Sequence, residues 1–338
     1  MSKRTRYFVA ISGAVLAIGL GTGLVASYVG LPVAVFSRAA GPEELQYVPA
    51  DAAVVAYADV KDVLNSEFRQ RFRRLEPQSP ERNEFEQKTG INFEQDIDSI
   101  VAAMMPGAAG SVTTHPEQSA LLLARGRFDA SRLEALALEH GGSVSEYQGK
   151  RIVSHQDTGT TADGNHSEMA LAFIDADLVA IGSATAVRSA IDAHRENRNV
   201  VSNTELMRLV AELDNSNAWA VGRFDALANQ AQLPEQVKSQ IPTISWFSAA
   251  GHINGGVSGV VKAETKDEAA AQNLRDVVRG FLALAKMQAG SKPGMKEMVD
   301  SLQLTGDGKT VSVAFTVPSE VLDVFEAMSK AHRNGDPR

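Results

Sequence analysis

The histidines are the residues whose chemistry would be easiest to recognise, and their spacing does not indicate catalysis. The chain has seven, and none forms an H-E-x-x-H motif or another close metal-binding spacing. His155 and His166 flank a polar loop that also holds Asp157, Asp163 and Glu168. A loosely held metal is one interpretation of this loop, and a solvated loop is the favoured one, because loops are polar for reasons of solvation alone. We therefore predict no metal site.

Other motifs for catalysis or nucleotide binding are incomplete. Residues 308–310 (G-K-T) resemble the end of a phosphate-binding loop, but Gln303 stands where that motif needs glycine. Residues 256–259 (G-V-S-G) miss the spacing of a nucleophile elbow. Asp96 and Asp98 are two residues apart on a predicted helix, so they do not face each other. We therefore predict no catalytic residue, no cofactor and no enzymatic activity.

Two stretches of the chain repeat one pattern that combines arginine and aspartate. Ala124–Ala130 reads A-R-G-R-F-D-A and Ala220–Ala226 reads A-V-G-R-F-D-A, each where a predicted strand passes into a helix. One interpretation is a pair of Arg/Asp binding sites. The favoured one is structural: the phenylalanine enters the core, and the aspartate caps the following helix.

The composition narrows the class of protein further. The chain has 338 residues, 44% of them hydrophobic, with 33 Lys+Arg against 41 Asp+Glu and a formal net charge of −8. This acidic balance argues against a nucleic-acid partner. The chain has no cysteine, which excludes disulfides and thiolate metal sites. The length allows one large domain or two ordinary ones.

Residues 1–36 predict a cytoplasmic tip followed by a transmembrane anchor. Three basic residues lie within the first six, and Tyr7–Phe36 then carries no charged side chain. A helix needs about 20 apolar residues to cross a bilayer core. The positive-inside rule keeps the basic tip in the cytoplasm, so the remaining chain is extracytoplasmic, or periplasmic in a Gram-negative cell. A signal peptide cleaved near residues 25–27 (V-A-S) is the alternative, and it exports the same domain.

The predicted span would contact lipid and could also contact a second membrane helix. Residues 7–36 would contact the lipid bilayer. Gly19 and Gly23 have the small-xxx-small spacing that lets two membrane helices approach closely. Because glycine is common in such helices, helix pairing here remains one of two interpretations.

Beyond the span, strand-like and helix-like segments alternate. We predict a polar linker over 37–45, two related α+β subdomains over 46–200 and 201–332, and a disordered tail over 333–338. In each subdomain an antiparallel sheet would be covered by helices.

The helix predictions rest on apolar spacing and capping residues. Phe93–Met105 is predicted as a helix capped by Asn92. Two further helices are assigned capping boxes, Ser131 with Glu134 and Thr265 with Glu268. A last helix is predicted over Ser319–Ser329.

One stretch carries a family resemblance. After the basic tip and the single span, Tyr47–Ala52 (Y-V-P-A-D-A) leads into a strand. This layout resembles uncharacterised bacterial proteins that have one membrane anchor and a duplicated extracytoplasmic α+β domain. The resemblance implies an architecture and no catalytic residues.

Three functions follow as hypotheses. The first is a membrane-anchored, non-enzymatic protein-interaction or scaffold module of the cell envelope, with an envelope protein as partner. The alternative is an extracytoplasmic binding protein for a lipid or another apolar ligand. The third is a hydrolase with an unrecognised site.

Overall fold

A computed structural model describes the chain over seven ranges. They are residues 41–73, 80–106, 120–156, 168–213, 216–225, 244–289 and 295–317. The predicted span Tyr7–Phe36, the predicted last helix Ser319–Ser329 and the tail 333–338 lie outside them.

Helices and strands alternate along the described residues. The α-helices are α1 (Val60–Asn65), α2 (Glu67–Arg73), α3 (Pro80–Thr89), α4 (Phe93–Asp96), α5 (Ala130–Glu139), α6 (Ala184–Arg195), α7 (Thr204–Ala211), α8 (Glu268–Ala289) and α9 (Met295–Ser301). The strands are β1 (Val54–Asp59), β2 (Ile97–Met104), β3 (Ala120–Gly126), β4 (Ser143–Tyr147), β5 (Lys150–Gln156), β6 (Glu168–Asp175), β7 (Leu178–Ser183), β8 (Ala218–Arg223), β9 (Ile244–Ile253), β10 (Val257–Thr265), β11 (Gln303–Thr305) and β12 (Thr310–Val317). Short 3-10 turns span Glu43–Tyr47 and Val200–Ser202.

The chain forms two compact units. The first contains the described residues of 41–61 and 80–212, and the second those of 62–73 and 213–317. Each is built on antiparallel strands with helices, so the predicted α+β class is confirmed. The proposed subdomain boundary after residue 200, and the relation of the subdomains by duplication, stay predictions.

The first unit has the strand order β1-β2-β3-β7-β6-β5-β4, and every neighbouring pair is antiparallel. Helix α6 packs on β3, β6 and β7. It does so through a buried apolar face that includes Val187, Ala190 and Ile191. Ser183 begins this helix, because its side chain accepts a hydrogen bond from the Ala186 amide at 3.1 Å.

The second unit has the strand order β11-β12-β10-β9-β8, again with antiparallel pairs. One apolar cluster joins Val63, Ile253, Val257 and Phe315. The Asn217 side chain binds both the amide and the carbonyl of Ile253, at 2.9 and 2.7 Å. These bonds satisfy a buried amide side chain at the start of β8.

The predicted helix over Phe93–Met105 is wrong beyond its first turn. Asn92 does cap α4, accepting from the Glu94 amide at 3.0 Å, but the helix ends at Asp96 and β2 follows. Strand β2 pairs with both β1 and β3, and its β-branched Ile97, Ile100 and Val101 are buried. Burial in the middle of a sheet outweighs the local helical spacing. The interpretation of Asp96 and Asp98 as residues of one helix is corrected with it.

The two helices with predicted capping boxes, α5 and α8, are capped by other residues than those predicted. Asp129, rather than Ser131, begins α5 and accepts from the Arg132 amide at 3.0 Å. Asp267, rather than Thr265, accepts from the Ala270 amide at 2.8 Å at the start of α8. Thr265 instead donates to the Lys309 carbonyl at 3.0 Å.

Candidate functional site

An ionic arrangement around the buried carboxylate of Glu44 surrounds Arg125, near the end of β3 in the first unit. Its Nε donates to Glu44 Oε1 at 2.7 Å, and its Nη1 donates to both carboxylate oxygens of Asp177 at 2.8 and 2.7 Å. Ser99 Oγ of β2 also donates to Glu44 Oε1 at 2.7 Å. We call these four residues, Glu44, Ser99, Arg125 and Asp177, the Glu44 cluster.

The strands explain why these side chains meet. Arg125 pairs with Ser99 of β2 on one side and with Leu178 of β7 on the other. Asp177 lies in the turn between β6 and β7, directly before Leu178. Glu44 comes from the 3-10 turn at the start of the described chain and is 3% exposed. Local sequence brings none of them together, because Glu44 and Arg125 are 81 residues apart.

The contacts of the cluster satisfy the charge of the buried Glu44 carboxylate. A buried carboxylate is costly unless it is paired and hydrogen-bonded, and Glu44 receives both a guanidinium and a hydroxyl. Burial lowers the pKa of Arg125, but the hydrogen bonds that it donates to Glu44 and Asp177 outweigh this effect and raise that pKa above its usual range. Arg125 therefore stays charged and is held by two carboxylates.

The residues that follow Glu44 are fixed to the same unit. Tyr47 stacks on the ring of His194 from α6, with centroids 4.2 Å apart, and its hydroxyl lies 3.5 Å from Asp175 Oδ2. The Val200 amide donates to the Val48 carbonyl at 2.8 Å. Residues 43–50, called the leading segment below, are therefore held by side-chain and backbone bonds together.

The bonds within the Glu44 cluster favour a structural role for its side chains over a catalytic one. Arg125 already binds two carboxylates, and Glu44 accepts from two donors. Within the described ranges, no group of three or more His, Asp or Glu side chains is placed to hold a metal ion. His155 lies on β5, and His166, Asp157 and Asp163 lie outside the described residues, so the loop considered above stays untested.

A shallow depression of about 490 Å³ lies in the first unit. It is lined by Asn83, Glu86 and Gln87 of α3 and by Arg132 of α5. Arg132 uses its side chain to join the two helices, because Nε and Nη2 donate to the Lys88 and Gln87 carbonyls at 3.1 and 2.6 Å. The lining is polar and does not resemble an apolar ligand pocket.

The repeated A-x-G-R-F-D-A pattern is only partly explained by capping. In the first copy, Asp129 caps α5, as the favoured interpretation predicts. Arg127 donates to the Gln95 carbonyl and to Asp96. Sequence reasoning missed Arg125, the member of the pattern that joins the leading segment. A signal was present, since Arg125 is a charged residue at the end of an apolar strand sequence.

The chain matches the sequence model of the family described as "Protein of unknown function (DUF3352)" over residues 10–276. The chain belongs to the DUF3352 family. This membership confirms that the sequence resembles an uncharacterised family, and it assigns no residue a role.

Comparisons with individual proteins add little to the DUF3352 assignment. No curated protein matches the chain. A solved structure described as "Structure of crystal form I of TP0453" aligns with a TM-score of 0.43 and 10% identity, covering 86% of this chain and 98% of that one. A likeness at this level carries no argument about fold or function. Among the helices of the described DUF3352 chain, none is long and apolar enough to cross a membrane.

Proposed function

We propose that this DUF3352 protein is a single-pass envelope protein of non-enzymatic type whose extracytoplasmic α+β part binds another protein. The observation that carries the proposal is the attachment of the leading segment to the first unit. Residues 43–50 are attached to the first unit. Only residues 37–42 therefore separate Phe36, the end of the predicted span, from the attached segment. At about 3.5 Å per residue, residues 37–42 span at most roughly 20 Å. The unit would therefore be held close to the membrane surface.

The anchor is proposed from sequence and from the extent of the family match. Tyr7–Phe36 has no charged side chain and follows three basic residues. The match begins at residue 10, so most of this apolar run belongs to the family pattern. We propose an uncleaved span with a cytoplasmic N-terminus, and helix pairing through Gly19 and Gly23 as a further property of it.

Binding of a protein is favoured over binding of a small apolar ligand. Ligand sites of the second kind are enclosed and mostly apolar. The depression beside α3 and α5 is open and polar. The Glu44 cluster supports the non-enzymatic proposal, because its charged groups bind one another. We also propose that the two units arose by duplication, on the basis of the repeated pattern at Ala124–Ala130 and Ala220–Ala226.

Native mass spectrometry of the full-length protein tests this proposal. The protein would be purified in a gentle detergent from its native membrane. The matched control has residues 1–36 replaced by an unrelated single span of equal length, which keeps the tether and changes only its sequence. We expect a stoichiometric protein partner in both preparations.

The other outcomes each contradict a part of the proposal. A partner lost with the span replacement would place binding in the membrane helix instead of the exported units. A small molecule retained by both preparations would favour a ligand carrier. A protein that begins near Tyr28 would show cleavage and contradict the anchor.

A further inference from the structure

Strand β4 is the outermost strand of the first unit, and one of its sides has no neighbouring strand among the described residues. On its other side it pairs with β5, in a regular register without a bulge. Its first four residues, Ser143–Glu146, are exposed, and Tyr147 is half-buried. A strand in this position displays a row of backbone donors and acceptors that another strand can bind.

The turn between β4 and β5 fixes which backbone groups face outwards. Tyr147 pairs with Lys150 across a two-residue turn, whose central residues have φ values of 52° and 75°. Positive φ at both positions is typical of a type I′ hairpin turn. The pair that closes this turn is hydrogen-bonded, and hydrogen-bonded and non-hydrogen-bonded pairs alternate along an antiparallel ladder. The amides and carbonyls of Val144 and Glu146 therefore point away from β5. We call these two residues the β4 edge.

The outward groups of the β4 edge are not used within the described part of the chain. No backbone hydrogen bond outside the helices and ladders of that part involves Val144 or Glu146. Arg151 lies directly opposite Glu146 on β5, but it binds Glu134 of α5 at 2.8 Å. The Glu146 carboxylate thus has no ion-pair partner among the described residues.

The β4 edge lacks the features that usually protect an outer strand. Natural proteins protect such strands by shortness, proline, lysine or a bulge. The outermost strand of the second unit, β11, has three residues. Strand β4 has five, with neither proline nor lysine nor a bulge. Exposed apolar side chains also lie here, because Val144 is 37% exposed and Leu138 of α5, a helix that packs on β4 and β5, is 47% exposed.

A second copy of this chain fits the β4 edge poorly. In an antiparallel pair of two β4 strands, the register that uses both outward residues places Val144 opposite Glu146, and the two Glu146 carboxylates become diagonal neighbours. A shift of one copy by two residues, or an in-register parallel pair, places the two carboxylates side by side. Like charges at such positions are destabilising, whereas opposite charges stabilise the pair. The edge therefore favours a different strand that carries a basic side chain.

We propose that the β4 edge binds an extended segment of a partner protein as an additional strand, with a lysine or arginine of that segment against Glu146. This inference rests on the proposed function, because it names the surface that binds the protein partner and the kind of segment that occupies it. In strand addition, backbone hydrogen bonds supply affinity and the side chains beside them supply specificity.

A synthetic strand peptide tests the inference on the full-length protein in detergent. The probe is an end-capped peptide of alternating threonine and valine with one central lysine, and the matched control peptide has glutamate in place of that lysine. At saturation we expect the probe to slow amide hydrogen exchange at Val144 and Glu146 at least about tenfold. Exchange of the Ser145 amide, which faces β5, should stay unchanged and serves as the internal reference.

Two substitutions separate the charge from the backbone bond. The wild-type protein should bind the lysine peptide about fivefold more tightly than the glutamate peptide, and Glu146→Lys should reverse this preference. Val144→Pro removes an outward donor and leaves the ladder to β5 intact, because proline is tolerated where the amide of an outer strand faces solvent. It should weaken binding about fivefold relative to Val144→Ala, which keeps the amide. An unchanged preference in Glu146→Lys, or no protection at Val144 and Glu146, would overturn the inference.

Native mass spectrometry of the same variants separates this inference from the proposed function. Loss of the protein partner with Val144→Pro and its retention with Val144→Ala would support the β4 edge as the binding surface. Retention with both variants would place the binding surface elsewhere, which overturns the inference and leaves the proposed function intact. Absence of any partner from the wild-type protein would contradict the proposed function itself, whatever the peptide shows.

Discussion

The two copies of the A-x-G-R-F-D-A pattern end strands in different units, and their side chains make different bonds. Arg125 of the first copy binds Glu44 and Asp177, whereas the equivalent Val221 of the second copy is an apolar residue with 0% exposure. Arg127 reaches back to Asp96, whereas Arg223 binds the nearby Asp225 at 3.1 Å. The same short pattern therefore makes different side-chain contacts in the two units, because distant neighbours decide what those side chains bind.

The glycine of the first copy shows what the backbone path requires. A β-carbon on Gly126 would lie 2.0 Å from the Asp96 carbonyl oxygen. The next residue, Arg127, donates its amide to that same carbonyl at 2.7 Å. Glycine is needed here because β3 passes close to the end of α4, and any side chain would separate them.

The largest expected effect comes from making the second copy resemble the first. Val221→Arg would place a charge at a position with 0% exposure. An unpaired buried charge costs several kcal/mol, so we expect a loss of about 5 kcal/mol in the free energy of unfolding. Both tryptophans, Trp219 and Trp246, belong to the second unit, so urea denaturation followed by tryptophan fluorescence reports on it directly.

Val221→Ala is the matched control for that substitution. It removes two methyl groups without adding charge, and we expect it to cost about 1 to 3 kcal/mol. If Val221→Arg costs no more than Val221→Ala, then the position tolerates a charge, and the contrast between the two copies fails.

The reverse change, Arg125→Val, should have the next largest effect. It leaves the Glu44 carboxylate buried with only Ser99 as a donor, so we expect a loss of about 3 kcal/mol. The leading segment should detach first. Exchange of the Val200 amide, which donates to the Val48 carbonyl, should therefore rise about a hundredfold.

A double variant tests whether Arg125 contributes to stability through its ion pair with Glu44 or through packing. Glu44→Leu combined with Arg125→Val removes both charges together. Replacing a buried ion pair by apolar residues is often close to neutral, so most of the loss should be recovered. A double variant as unstable as Arg125→Val alone would mean that Arg125 acts through packing rather than through its charge.

A smaller difference is expected between the two aspartates of the pattern. Asp129→Ala removes the cap of α5 and should cost about 1 kcal/mol, with faster exchange at the Arg132 amide. Asp225→Ala removes an ion pair whose side chains are exposed, and it should cost less than about 0.5 kcal/mol. Equal costs would show that both aspartates serve the same structural purpose.

Much of the fold could be predicted because its signals are local. Strands β6 and β7 are apolar runs joined by a short turn at Asp175–Asp177, and the buried face of α6 follows helical spacing. The same local reasoning failed at β2. Its apolar residues fit a helix and a strand alike, and pairing with β1 and β3 decided the outcome.

The candidate site could not be predicted for a related reason. Ser99 and Arg125 are 55 and 81 residues from Glu44, and no spacing rule connects them. Glu44 itself falls in a stretch that reads as a polar linker. The sequence did show that the arginine-containing pattern repeats, but it could not show that the two copies differ in their partners.

A pH-dependent effect is expected at Tyr47, a second link of the leading segment with no counterpart in the pattern. Burial and the neighbouring Asp175 raise the pKa of the Tyr47 hydroxyl, and Arg125 opposes this shift weakly. A raised pKa means that the folded protein favours the neutral phenol. Its contribution to stability is therefore complete below the unfolded pKa of about 10 and is lost as pH rises through the folded value.

Tyr47→Phe tests this contribution because it keeps the ring on His194 and removes only the hydroxyl. At neutral pH we expect a change below about 1 kcal/mol, since the bond to Asp175 is long at 3.5 Å. Above pH 10 the wild-type protein should lose protection at the Val200 amide, and Tyr47→Phe should not. Parallel loss in both proteins would assign the alkaline change to other groups and leave the Glu44 cluster as the main attachment of the leading segment.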